Sequence, residues 1–167
     1  MPDQETIERA QRDKREGKAA STQAGEFVRE EMDHIREGKH GARSTKQAIA
    51  IGLSKARRAG VKLPPPKKGT TSAKTRKSAA RASKAGRAAT KKRPSAKRSR
   101  AITKALRREG HSAASKSALS KQARSAARKR SAASRSASAR KAVQTKGPRE
   151  RAAAARKAAR TRARRGR

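Results

Sequence analysis

The chain has 167 residues, 50 Lys or Arg against 12 Asp or Glu, and a formal net charge of +38. It has no cysteine, no Trp, no Tyr and one Phe, which excludes disulfide scaffolds, thiolate metal sites and aromatic platforms for stacking bases. No apolar run approaches the roughly 20 residues of a membrane span, and Met1 to Arg15 has no signal-like apolar stretch, so an intracellular protein without a membrane partner is expected.

Residues 1–63 hold 14 bases and 10 acids, and most of the large apolar side chains. A first helix is predicted over about Asp3 to Glu16. Its acids come early and Arg12, Lys14 and Arg15 come late, in accord with the helix dipole. Gly17 stands where a C-terminal cap belongs. A second helix is predicted over about Thr22 to Glu37, because Ala24, Val28, Met32 and Ile35 recur at helical spacing before Gly38. The third has the clearest start. Ser44-Thr45-Lys46-Gln47 reads as a capping box, Ala48, Ile49, Gly52, Leu53 and Ala56 share a face, and Arg57 and Arg58 precede Gly60.

Pro64-Pro65-Pro66 excludes helix and favours a stiff spacer. The 104 residues from Pro64 onward carry 36 bases and two acids, Glu109 and Glu150. Their large aliphatics are only Ile102, Leu106, Leu119 and Val143. Ordering a residue costs roughly 1–2 kcal/mol, and four side chains worth about 1.5–3 kcal/mol each do not offset that. The expected architecture is therefore a small all-α head of about three helices followed by a long, basic, mostly disordered tail. The divisions expected are 1–63 for the head, 64–69 for the Pro-rich linker and 70–167 for the tail. Conditional helices are expected near 101–109, 113–143 and 149–164, formed once phosphates screen the charge. The head's apolar content is marginal for 60 residues, so a homo-oligomer through helices two and three is expected.

A repeat runs through the chain. Arg15-Glu16-Gly17-Lys18 recurs as Arg36-Glu37-Gly38-Lys39, and more faintly as Arg108-Glu109-Gly110-His111. Each copy is followed by a Ser or Thr and then Gln-Ala.

No catalytic constellation is present, and no Gly-rich phosphate loop; an enzyme is not expected. His34 and His40 are six apart, not the three or four that aligns two ligands on one helix face, so no metal and no cofactor is expected. The acids of residues 1–40 read mostly as solvated-face and helix-start charges.

What remains is charge. Bases every two to four residues suit phosphate contact, which positions a protein on nucleic acid without reading sequence. The candidate contacts are Arg43, Lys46, Arg57, Arg58, Lys67, Lys68, Lys91, Lys92, Arg93, Lys97, Arg98, Arg107, Arg108, Arg128, Lys129, Arg130, Arg162, Arg164 and Arg165. The expected function is sequence-independent binding and compaction of double-stranded DNA; the alternative is an RNA- or ribosome-associated basic protein.

The tail resembles the Ala/Lys/Arg/Ser/Pro-rich tails of linker histones and bacterial histone-like proteins. The stretch from Arg43-Ser44 through Lys46-Gln47-Ala48-Ile49-Ala50-Ile51 to Leu53-Ser54 and Ala56 is similar to an R-S-x-K-Q-A-I-A-I-x-L-S-x-A signature of small bacterial proteins often labelled DNA-binding. No strand pair follows the third helix, so the head departs from the winged-helix pattern of eukaryotic linker histones. The resemblance implies a nucleoid-associated protein of the bacterial cytoplasm.

Overall fold

The structure is a computed structural model that describes residues 2–88, 95–145 and 147–165. Among these, regular structure is helical throughout. The order is α1 (Gln4–Arg15), α2 (Ala20–Arg36), α3 (Thr45–Arg58), α4 (Ala73–Arg87), α5 (Ala96–Arg107), a single 3-10 turn (Ser112–Ala114), α6 (Lys116–Arg128), α7 (Ala132–Thr145) and α8 (Pro148–Arg165).

The three predicted helices stand near their expected bounds. Gly17 and Gly38 both take positive φ, 69° and 76°. Each closes its helix with the same pair of bonds: Lys18 N–H donates to Asp13 O and Gly17 N–H to Lys14 O, while Lys39 N–H donates to His34 O and Gly38 N–H to Ile35 O. This is the Schellman pattern, which only a residue without a Cβ enters cheaply. The first two copies of the repeat are therefore one structural device. The third is not: Gly110 does not take positive φ. At α3, Ser44 Oγ accepts from Gln47 N–H at 3.2 Å, and Gln47 Oε1 accepts from Arg43 N–H at 2.9 Å, one residue earlier than the usual box.

The expectation of a three-helix head with a mostly disordered tail is overturned. Five α-helices follow the head, and the compact unit does not stop at the prolines but runs to Gln122. Two physical reasons account for the difference. First, tail residues complete the head's core. Ala113 and Ala114 are buried with Met32, Ile35, Ala42 and Ala48, and Leu119 packs against them. Four hydrogen bonds fix this docking: Gly41 N–H to Leu106 O (2.9 Å), Ala42 N–H to Gly110 O (3.1 Å), Thr45 Oγ1–H to Ala113 O (2.7 Å) and Arg36 Nε–H to Ala114 O (3.0 Å). The approach is so close that a Cβ on Gly41 would lie 1.8 Å from Glu109 O. Alanines, left out of an accounting based on large aliphatics, carry this packing.

Second, caps and propensity act without a core. Ala, Arg and Lys favour helix, and serines start the helices: Ser72, Ser115 and Ser131 accept from the N–H of Thr75, Ala118 and Ser134 at 3.2 Å each. Ser131 is also why the predicted run 113–143 divides into α6 and α7. The second unit, 123–167, has no buried residue among those described.

A second core cluster lies between α1, α2 and α3. Ala10, Ala24, Phe27 and Ala56 are buried there, with Ile7, Leu53 and Leu63 packed against them. α4 adds Ala79 and Ala82, both buried, and packs against α3. Gly52 permits the α2–α3 contact, since a Cβ there would meet Val28 Cα at 2.7 Å.

Candidate nucleic-acid interface

Charge is sorted by the fold. The acids of residues 1–40 are largely used within the first helices. Arg9 Nε–H donates to Glu26 Oε2 at 2.8 Å and also pairs with Glu5, tying α1 to α2. Lys18 lies 2.8 Å from Asp13 and 2.7 Å from Glu16, which together hold its ammonium above the ordinary lysine range. Lys39 pairs with Glu37 and Arg36 with Asp33. Only Glu109 and Glu150 are left for the 36 bases after residue 63, and two carboxylates cannot partner thirty-six cations.

Most candidate contacts are exposed. Arg43 and Lys46 flank the start of α3 and Arg58 ends it; Lys67 and Lys68 follow the prolines. Lys97, Arg98, Arg107 and Arg108 lie on and just past α5. Arg128, Lys129 and Arg130 surround the α6–α7 junction, and Arg162 and Arg164 lie on α8; all of these are exposed. Lys91, Lys92 and Arg93 lie outside the described residues, as does the side chain of Arg165.

Arg57 departs from the expectation. It is buried, and its guanidinium donates to Leu63 O (3.3 Å), Leu53 O (3.5 Å) and Pro64 O (3.1 Å). It fastens the chain leaving α3, and burial lowers its pKa from the ordinary arginine value. A guanidinium committed to three carbonyls is not available to phosphate.

Two cationic helix faces stand out, and of their bases the sequence reading names only Arg107 and Arg108. Lys74, Lys77 and Arg81 lie along α4, where no helix was expected, beside Ser78. Arg100, Lys104, Arg107 and Arg108 line a shallow groove on α5 with Ser99 and Thr103. Spacings of three and four put each set on one face. Helical geometry also distributes α8: Arg149, Arg156 and Arg160 fall on one side, Arg151 and Arg162 on the opposite side.

A buried polar cluster is the second feature the sequence reading missed. Glu31 is fully buried and Glu30 nearly so. Lys55 Nζ lies 2.9 Å from Glu30 Oε1 and 2.8 Å from Glu31 Oε2. Burial disfavours the charge on Lys55, but Glu30 and Glu31 outweigh it and raise its pKa; burial likewise opposes the charge on Glu30, yet Lys55 and the Asp3 N–H outweigh it and lower the carboxyl. His34 Nε2 is 3.0 Å from Asp3 Oδ2, whose carboxyl this bond holds below its ordinary value. His40 Nε2 is 3.4 Å from Glu31 Oε1.

The fold and surface define an all-helical protein with a strongly cationic exterior. Residues 3–68, from α1 through α3 to the proline linker, are similar to a family of unknown function, DUF6496. Comparison with curated proteins and with solved structures gives no match. No described helix is long and apolar enough to cross a membrane.

Proposed function

We propose that this chain binds double-stranded DNA without sequence preference and compacts it, as a nucleoid-associated, histone-like protein. The observation that carries the reading is that each of the two units exposes Lys and Arg on its helices after residue 63, while only two carboxylates follow that residue. Such a surface demands a polyanion, and duplex DNA offers one charge per roughly 1.7 Å of axis together with counterions to release. The bases lie on helices at three- and four-residue spacing, which suits phosphates. The lack of aromatic side chains argues against base stacking as the source of affinity. Cations on opposed sides of α8 suit contact with two duplex segments, which is what compaction needs. Arg43, Lys46 and Arg58 add exposed bases on the head, and Arg57 acts in folding. The docked segment Leu106–Leu119 covers apolar head surface that a homo-oligomer would otherwise bury, so we infer that DNA binding does not require one.

The test is a multiple neutralisation. Replacing Arg149, Arg151, Arg156, Arg160, Arg162 and Arg164 by Gln keeps helix propensity and removes charge from α8. Condensation of random-sequence duplex, followed by light scattering, should require several-fold more protein. Two duplexes of unrelated sequence should be affected alike. Unchanged condensation, or a loss confined to one sequence, contradicts the reading.

A further inference from the structure

The cluster around Glu31 contains an unresolved contact. The Glu31 side chain is fully buried, and neither of its carboxylate oxygens makes a hydrogen bond of acceptable geometry. Such a group costs free energy unless a cation meets it. Lys55 stands on the Oε2 side at 2.8 Å. On the Oε1 side is His40 Nε2, at 3.4 Å. A charge-assisted N–H···O bond is normally about 2.7–2.9 Å, so this contact is too long for one.

The tautomer sharpens the point. His40 Nδ1 lies 3.1 Å from Gly41 O, and a carbonyl only accepts, so Nδ1 carries the proton. In the neutral ring Nε2 then directs a lone pair at a carboxylate. An imidazole fixed by an Nδ1–H···O=C bond, with its Nε2 lone pair free, is the arrangement of many metal-bound histidines. The distance fits as well: two ligands each about 2.1 Å from a tetrahedral ion stand roughly 3.4 Å apart. His34 completes the set. One ligand atom from each of Glu31, His34 and His40 lies within 4.8 Å of the others. Asp3 accepts from His34 Nε2, which leaves Nδ1 with the lone pair, as in carboxylate–histidine–metal triads. Charge agrees. Asp3, Glu30 and Glu31 against Lys55 leave two negative charges when both imidazoles are neutral.

We propose that Glu31, His34 and His40 bind one divalent transition-metal ion of the zinc type. Asp3 orients His34, and Lys55 holds the outer oxygen of Glu31. The ion would join α2 to the loop after it. That loop is where Gly41 and Ala42 receive the segment Leu106–Gly110, so metal would stiffen the seat on which the basic part of the chain docks. The donor set of two imidazoles and a carboxylate suits zinc and its first-row neighbours better than magnesium or calcium.

The chain carries its own control. His111 is exposed and outside the cluster. Full-length protein freed of nucleic acid and treated with chelator is titrated with zinc chloride by calorimetry, and its imidazole nitrogens are followed by NMR. One ion should bind per chain. The His34 and His40 nitrogens should shift, and those of His111 should not. Affinity should fall at least about tenfold in Glu31→Gln and in His40→Gln, and stay unchanged in His111→Gln. The proposal is overturned if zinc does not bind, if all three variants bind alike, or if His111 responds in parallel with the other two. Should the buried variants fail to fold by far-UV dichroism, the wild-type imidazole spectra decide alone.

Discussion

Residues 1–122 and 123–167 are built from the same few residue types, yet they are helical for different reasons. In the first unit Phe27, Ile35 and Ala114 are shielded almost completely, and hydrogen bonds between distant residues fix the segments. In the second, no described residue is buried, and Val143 is 49% exposed. There, helices rest on the propensity of Ala, Arg and Lys and on caps such as Ser131. Being helical and being packed are separate properties. A charge-rich, Ala-rich segment attains the first through local interactions and the second only where a small-residue face finds a partner.

The widest separation between the units should come from truncating an apolar side chain in each. Phe27→Ala should destabilise the first unit by about 3–5 kcal/mol, by emptying a fully buried site. Val143→Ala should change stability by less than about 0.5 kcal/mol. Urea unfolding followed by dichroism measures both, and a large effect at Val143 would reveal packing that the second unit is not expected to have.

Glycines give the next largest contrast. Gly41→Ala places a methyl against the Glu109 carbonyl, and Gly52→Ala places one against the Val28 backbone. Each should cost about 1–3 kcal/mol by forcing the segments apart. At Gly147 an added Cβ meets nothing within 4 Å, so Gly147→Ala should stay within about 0.5 kcal/mol. Thermal midpoints would rank the three, and equal midpoints for Gly41→Ala and Gly147→Ala would break the claim that the tail docks at Gly41.

The smallest contrast lies in the caps. Ser44→Ala should lower the stability of the first unit by about 1 kcal/mol. Ser131→Ala should reduce helical dichroism without moving the cooperative transition, because no described residue of α7 is buried. A shifted transition in Ser131→Ala would show that the two units unfold together.

Much of the first unit was legible because its signals are local. Schellman glycines, a Ser/Gln start and a helical apolar period all announce themselves within a few residues. The helices after residue 95 were legible as propensity, but α4 was not, since no large aliphatic marks residues 73–87 and its buried faces are alanines. Docking of Ala113 and Ala114 was hidden because alanine gives little periodic signal, and because the contact spans 65 residues or more from Ala48. The six-residue spacing of His34 and His40 argues against a shared helix face and so hides the Glu31 cluster. That spacing rule assumes one continuous helix, and the Gly38 turn instead brings His40 back beside α2. One signal could have pointed to it: Glu31 falls four residues after Phe27 and four before Ile35, in the middle of the apolar stripe. Charge at a helix end usually faces solvent, but the Arg57 side chain turns to the carbonyls of Leu63 and Pro64, which its sequence position does not reveal.

The central claim is that phosphate neutralisation, not base reading, drives binding, and salt tests it most directly. Affinity of the full chain for random-sequence duplex is measured between 50 and 200 mM salt, with structured RNA measured in parallel. If about ten phosphates are neutralised, duplex affinity should fall on the order of 10⁵-fold over that range, and equally for unrelated sequences. A shallow salt dependence, or structured RNA bound more than about tenfold tighter than duplex at matched salt, would contradict the account.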